Sequence, residues 1–262
     1  MSHVESMRKD WDDRARKNPF FYIASWRKEW DLPSFFRSGE EDYEVLVAPV
    51  LVRHDFPTNG KSMLELGCGV GRMTRAFASR FASVAAFDLS CNMLEQARQL
   101  VSEHQNISWV HANGIDLRPM GDASVDFVFS YLVLQHLPEE SFVQFYIREM
   151  IRTLRPSGLC LFQFNASTHP AMNWRGRLAW GSINALWDLH MRSMAQGIAK
   201  SLGLDPEMTG KSWHGPPVSE KQVEAAVQSA GGEILELRGG GTPMAWCCAR
   251  KRNAMGTSIS HT

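Results

Sequence analysis

The chain has 262 residues, balances 28 Lys and Arg against 28 Asp and Glu, and is 44% hydrophobic. Such a chain can bury one core with additions, or two small cores; a disordered chain, a collagen-like repeat and a coiled coil are excluded. A net charge of zero argues against an electrostatic nucleic-acid binder, whose affinity comes from Lys and Arg neutralising phosphates.

Residues 1–60 read as helical, with Trp11, Phe20, Phe21, Tyr22, Trp26, Trp30, Phe35 and Phe36 scattered through a charged background. Ser38 followed by Glu41 has the form of a capping box, which predicts a helix running on over 44–53 despite Pro49. The opening MSHVESMRKDWDDRARKN has no apolar core region, so no secretory signal is expected. The longest apolar run, 45–52, falls far short of the ~20 residues of a membrane span. A soluble, cytoplasmic protein without a membrane partner is the expectation. Cys68, Cys91, Cys160, Cys247 and Cys248 form no CxxC pair and no ligand spacing with histidine, so neither a metal site nor a disulfide framework is expected.

From Lys61 the period changes. MLEL, VAAFDL, ISWVHA, VDFVFSYL and GLCLFQF are apolar runs of strand length, separated by segments of helical spacing such as 92–104 and 139–154. Strand alternating with helix predicts crossover units and a parallel sheet covered on both faces. Between 165 and 218 the alternation stops, and Trp180, Trp187, Met191 and Met194 fall on one helical stripe ahead of the loop chemistry of SWHGPP. A helix over 219–230, a strand over 233–237, a GGG turn and a strand over 244–249 complete the pattern. The expected organisation is a helical cap over 1–60, a core domain over 61–250 with a helical insertion at 167–217, and a flexible tail over 251–262.

The strongest chemical signal is LELGCGVGRMT, an apolar strand running through Gly67, Cys68, Gly69 and Gly71 into a helix. Glycines there allow a sharp turn and let a ligand approach the backbone closely. Asp88 closes the next strand about twenty residues later, where a carboxylate accepts hydrogen bonds from the vicinal hydroxyls of a ribose. Ser90 is better placed to cap the following helix, which leaves Asp88 for a nucleoside. Dinucleotide sites show GxGxxG and receive a pyrophosphate; here the third glycine comes one residue early. Glu65 beside the turn would repel a pyrophosphate but accept hydrogen bonds from an ammonium group. A nucleoside carrying an amino acid fits both observations.

With these motifs the sequence resembles the class I S-adenosylmethionine-dependent methyltransferases, in particular their bacterial small-molecule branch. The resemblance covers roughly 60–166: ELGCGVGRMT, FDLS, HANGIDL, VDFVFSYLVLQHLP and RTLRPSGLCLFQF. GGEILELRGGGTPMAWCCARK is similar to the terminal antiparallel hairpin of that family. It implies a Rossmann-like α/β fold: a seven-stranded, mostly parallel sheet with an antiparallel last strand, here with a helical N-terminal extension and a helical lid insertion. By position it implies that Gly67, Cys68, Gly69 and Gly71 line the methionine and ribose part of S-adenosylmethionine, with Glu65 facing its amino group. Asp88 takes the ribose hydroxyls, Leu89 and Met93 cover adenine, and Asn113, Gly114 and Ile115 lie at the base edge. Ser130 and Tyr131 end the fourth strand beside the methyl, and Tyr22 closes in from the N-terminal cap. The family commonly has Asp where this chain has Asn113; an amide can still accept from the adenine amino group and donate to a ring nitrogen.

Transfer of a methyl group from a sulfonium needs alignment and exclusion of water, and a base only for an acceptor that is protonated. His136, just past the fourth strand, is the nearest candidate base, and His214 in SWHGPP is the alternative; both also read as structural loop histidines. The insertion reads as a lid, whose Trp174, Arg175, Trp180 and Trp213, with Phe36 from the cap, would bind the acceptor. O-methylation of a small aromatic or apolar molecule by a monomer or homodimer is the expectation, with no nucleic-acid partner. A nicotinamide-dependent oxidoreductase and a non-catalytic cofactor-binding protein remain open at this point.

Overall fold

The computed structural model describes residues 3–167, 181–183, 185–186, 189, 191–202, 213 and 215–253. The N-terminal cap contains α1 (His3–Lys17), α2 (Pro19–Ile23), α3 (Leu32–Asp42) and α4 (Ala48–Arg53). The expected capping box is not one. α3 starts earlier, at Asp31, whose carboxylate accepts the Ser34 N–H at 2.9 Å, with proline in the first turn. Ser38 sits inside that helix and donates back to the Phe35 carbonyl at 2.7 Å. A capping serine needs non-helical backbone, and the Asp-Leu-Pro start upstream had already committed Ser38 to the helix. Residues Tyr43–Val47 widen into a π-turn, with the Ala48 N–H reaching back to the Tyr43 carbonyl, and Pro49 follows directly in the first turn of α4.

The sheet contains β1 (Ser62–Leu66), β2 (Ser83–Asp88), β3 (Ile107–His111), β4 (Val125–Ser130), β5 (Leu154–Phe164), β6 (Gly232–Arg238) and β7 (Ala245–Lys251). Its order is β3-β2-β1-β4-β5-β7-β6. The first five strands pair in parallel, and β7 runs antiparallel to both β5 and β6. The helices that follow the strands are α5 (Thr74–Ala78), α6 (Cys91–Leu100), α7 (Glu140–Thr153), α8 (Arg192–Ser201) and α9 (Glu220–Ser229). β4 is buried at every position, as a central strand covered on both faces must be.

One face packs Val143, Ile147 and Met150 of α7 and Val223 and Val227 of α9 against the sheet. The other packs Tyr43, Val50, Leu51 and Phe77 against Phe127, Phe129 and Leu161. Phe81 and Phe127 stack there with centroids 5.6 Å apart. A third cluster joins Ala15, Phe35 and Phe36 of the cap to Val70 and Met93, so the N-terminal helices are part of the core.

One expected boundary and one expected apolar stripe are corrected. β7 continues to Lys251, whose ammonium donates to the Ala230 carbonyl at 2.7 Å, so the expected tail begins inside a strand. In the insertion, Ile183, Ala195 and Ala199 form a small cluster of their own, whereas Met191 and Met194 of the expected stripe are exposed; Trp180 and Trp187 lie outside the described residues. Among the described residues no helix is long and apolar enough to cross a membrane.

Candidate functional site

The site begins where β1 ends. The Gly67 and Cys68 N–H groups both donate to the Phe87 carbonyl, at 2.7 and 2.9 Å, which bends the chain sharply off the strand. Gly67 has φ +79° and a Cβ there would run into Val133, while a Cβ on Gly69 (φ +56°) would lie 2.6 Å from Ile23 Cδ1. The left-handed backbone favours glycine at both positions, and at Gly67 the Val133 side chain leaves no room for a Cβ as well. The Gly69 N–H donates to Asp88 Oδ2 and the Ser90 N–H to Asp88 Oδ1, each at 2.8 Å. Burial pushes the Asp88 carboxyl up from its usual range, against these two bonds. Each oxygen retains a lone pair for a further donor. Ser90 caps α6 as expected, accepting the Met93 N–H at 3.1 Å.

Glu65 is buried on β1 and accepts the Thr74 hydroxyl at 2.6 Å. Burial pushes its carboxyl up to about 7, opposed by the Thr74 bond and the Arg72 charge. A buried acid with a single hydrogen-bond donor on it gains an ionised form when an ammonium group is placed beside it.

These groups line a cleft of about 1260 Å³, counted out to its open mouth, at the carboxyl ends of β1, β2 and β4. That is where open α/β sheets bind ligands. Glu65, Gly67, Cys68, Gly69 and Asp88 form its floor, Leu89, Met93, Ala112 and Gly114 one wall, and Tyr131, Leu132, Val133, Gln135 and His136 another. Met7, Trp11, Tyr22, Ile23 and Trp213 cover it. The cover is aromatic: Trp213 lies 6.1 Å from Trp11, 6.2 Å from Tyr22 and 5.0 Å from His136, centroid to centroid. Tyr131 stacks on Trp246 at 5.2 Å, and burial pushes its phenol up.

Of the expected site residues, Glu65, Gly67, Cys68, Gly69, Asp88, Leu89, Met93, Gly114, Tyr131, Tyr22, His136 and Trp213 come together around this cleft. Others do not. Gly71 packs against Val101 and Trp109, behind the turn. The Asn113 carboxamide closes its own turn, accepting the Ile115 and Asp116 N–H groups at 2.8 and 2.9 Å and donating to Asp116 Oδ1 at 2.8 Å. Ile115 is 55% exposed. Ser130 is fully buried outside the cleft wall, its hydroxyl without a hydrogen-bond partner among the described residues. Phe36 belongs to the cap core with Phe35 and Val70. Trp174, Arg175, Trp180 and His214 lie outside the described residues.

Sequence reasoning missed Met7, Trp11, Arg72 and Gln135. Met7 and Trp11 had a signal, since an (i, i+4) apolar pair on a charged helix marks its buried face. Arg72 had none: it reaches the cleft while paired with Asp42 at 2.7 Å and lying 5.2 Å from the Trp26 ring centroid.

His136 is held on two sides. Its Nδ1 lies 2.6 Å from the Trp213 carbonyl and its Nε2 3.4 Å from Gln135 Nε2. The Gly215 N–H donates to the Gln135 carbonyl at 2.7 Å, so the segment returning from the insertion is stapled to the loop leaving β4.

Residues 64–162 match the methyltransferase domain family. The chain is 31% identical over 150 residues to a demethylmenaquinone methyltransferase of Tropheryma whipplei (strain Twist), covering 57% of this chain and 56% of that protein. It is 34% identical over 103 residues to a malonyl-[acyl-carrier protein] O-methyltransferase of Serratia marcescens, covering 39% of this chain and 38% of that one. The chain thus spans about half the length, or less, of these curated relatives. Its fold is similar to the magnesium protoporphyrin IX methyltransferase of Synechocystis PCC 6803 solved with bound SAH, with TM-score 0.61 and 16% identity over 96% of this chain and all of that one. A glycine turn tied to an acid on the next strand, in a sheet that ends in an antiparallel hairpin, thus accompanies the stretch of this chain that matches the methyltransferase domain family.

Proposed function

We propose that the protein transfers a methyl group from S-adenosylmethionine to a small, largely apolar acceptor, and that the accepting atom is a hydroxyl oxygen. The observation that carries this reading is the pairing of Asp88 with Gly69 on the floor of the cleft, beside buried Glu65. The residues present fit the cofactor. Asp88 has a lone pair on each oxygen for ribose hydroxyls, and Glu65 is the acceptor for an ammonium. Gly67 and Gly69 bring backbone into the cleft lining, and Leu89, Met93 and Gly114 form an apolar slot for a base. When bound, the cofactor supplies an electrophilic methyl on a sulfonium sulfur.

The chain contributes binding, orientation and a dry cleft. Trp11, Tyr22 and Trp213 exclude water from above, and Tyr131 and His136 stand at the wall that continues from β4. An aromatic cover of this kind favours a flat or apolar acceptor, because ring contacts gain from burial and offset packing. His136 is the base we assign for taking the acceptor's proton, and Trp213 the acceptor contact. The relatives are named for acceptors as different as demethylmenaquinone and malonyl-[acyl-carrier protein], so the cleft lining, not the names, supports this choice.

Titration calorimetry with S-adenosylhomocysteine and with NAD tests the cofactor: binding of the first and not the second is expected, and the reverse would replace this reading with a nicotinamide-dependent one. Labelled methyl transfer to a panel of small phenols, enols, amines and carboxylic acids tests the acceptor. Turnover confined to amines would overturn the hydroxyl assignment.

A further inference from the structure

Gln135 lines the cleft wall with Val133 and His136, and its carboxamide has a fixed polarity. The constraint comes from Gln163, which is fully buried on β5. Gln163 Oε1 accepts the Leu132 backbone N–H at 3.1 Å, and its Nε2 donates to the Pro243 carbonyl at 2.7 Å. A backbone N–H only donates and a carbonyl only accepts, so these partners determine which end of Gln163 is nitrogen. The second hydrogen of that nitrogen goes to Gln135 at 3.2 Å, and the atom that receives it must be the Gln135 oxygen. Nε2 is therefore the end of Gln135 left for the cleft. An amide nitrogen carries two hydrogens, and the contact described for this one, with His136 Nε2 at 3.4 Å, exceeds ordinary hydrogen-bond length. Whatever that contact is worth, one hydrogen of Gln135 Nε2 has no acceptor among the described residues.

We propose that Gln135 is a specificity-determining residue whose Nε2 donates to a carbonyl oxygen of the acceptor, so that the cleft prefers hydroxy-carbonyl compounds, such as enolised diketones and ortho-acylphenols, to plain alcohols and phenols. This rests on the reading of the accepting atom as a hydroxyl oxygen beside His136. The two side chains present nitrogens 3.4 Å apart, so the oxygens they meet belong to neighbouring groups of one molecule. An unrestrained glutamine serves a donor or an acceptor alike by turning its amide over. Here a turn would set the amino group of Gln135 against that of Gln163. Gln163 cannot turn with it, because the Leu132 N–H and the Pro243 carbonyl would both be stranded in the interior, and unmade buried hydrogen bonds are costly. Gln163 is thus the positioning residue of the pair.

The chemistry of the reaction favours the same class. When the hydroxyl proton passes to His136, the electron pair of the O–H bond is shared between the two oxygens of a conjugated hydroxy-carbonyl acceptor. The bond from Gln135 Nε2 strengthens as that charge reaches the carbonyl, which is stabilisation gained along the reaction and not in the ground state alone. A hydroxyl without a conjugated carbonyl offers this donor nothing.

Two phenols of one shape test this: ortho-acetylphenol, and ortho-isopropenylphenol, in which a methylene replaces the carbonyl oxygen. The ratio of their kcat/KM values, acetyl over isopropenyl, should fall about 10-fold from the parent to Gln135→Leu, with S-adenosylhomocysteine affinity retained. Gln163→Leu, which frees Gln135 to turn, should lower the same ratio with Gln135 in place. The parent gives a second readout that needs neither turnover nor a variant. In the full chain loaded with S-adenosylhomocysteine and carrying isotope-labelled glutamine, the Nε2 protons of Gln135, assigned through their own backbone, should move downfield with ortho-acetylphenol and stay in place with ortho-isopropenylphenol. An equal response to both phenols, or none to either, overturns the proposal, as does a ratio unaltered in Gln135→Leu. Turnover confined to amines would instead overturn the hydroxyl reading and leave the response of the amide to the carbonyl standing.

Discussion

The carboxylate of Asp88 accepts the backbone N–H of Gly69 at 2.8 Å, so the acid that ends β2 and the middle glycine of the β1–α5 turn are one unit. The same carboxylate takes the Ser90 N–H. It therefore shapes the turn, starts α6 and faces the cleft at once. Asp88→Ala should weaken S-adenosylhomocysteine binding by about 10- to 100-fold, corresponding to about 1.5–3 kcal/mol for lost charge-assisted bonds. Calorimetry measures it directly, and unchanged affinity would assign Asp88 to the turn alone.

Glu65 makes stability and binding respond to pH in opposite directions. Its folded-state value of about 7 lies above the ordinary 4.5 because of burial. The folded protein thus holds a proton that the unfolded chain releases between those values, and stability falls as pH rises across that window, by roughly 3 kcal/mol in all. Glu65→Gln should flatten that fall in thermal melts recorded against pH. Affinity for an amino-bearing cofactor should instead rise with pH up to about 7 and then level, because the ammonium prefers the ionised acid. A parent melting profile flat from acid to neutral pH would contradict the burial of this charge.

Gly67→Ala should destabilise through two separable effects. The added Cβ meets Val133, and an alanine at φ +79° is strained. Val133→Ala should recover the first part in a double-mutant cycle, leaving about 1 kcal/mol or more for the left-handed backbone. Urea unfolding of the four proteins supplies the cycle. A coupling energy near zero in the cycle would mean that the clash is not the cause.

Asp12 latches α1 to the start of α6, accepting the Ser90 hydroxyl at 2.6 Å and the Asn92 N–H at 3.3 Å. Asp12→Ala should increase hydrogen exchange over 3–17 and leave the sheet protected, because only the contacts of the cover are lost. Exchange that rises equally in β1 and β4 would show that the cap and the sheet open as one unit.

Trp11→Ala removes the ring that packs against both His136 and Trp213, at 5.1 and 6.1 Å. The acceptor KM should rise several-fold while cofactor affinity changes little. Fluorescence titration and initial rates separate the two. A loss confined to cofactor binding would move Trp11 from the acceptor side to the cofactor side.

The sequence alone determined what depends on neighbours along the chain. Strand and helix periods predicted the alternating sheet. LELGCGVG predicted the turn, and the distance to Asp88 singled out that acid as an acceptor for ribose hydroxyls; its bond to the Gly69 N–H came only with folding. Ser90 was legible as a cap because capping is local. The tertiary structure decided what depends on residues far apart. Phe36 and Tyr22 look alike in an aromatic-rich helical segment, yet Phe36 fills the cap core and Tyr22 reaches the cleft, because burial depends on which face the packing selects. Asn113 matches a base-edge position but spends its carboxamide on its own turn, a local competitor that family spacing does not reveal. The orientation of Gln163 is set by Leu132 on one side and Pro243 on the other. No pattern along the chain encodes it, because an amide's two ends are distinguished only by the donors and acceptors that folding brings to them.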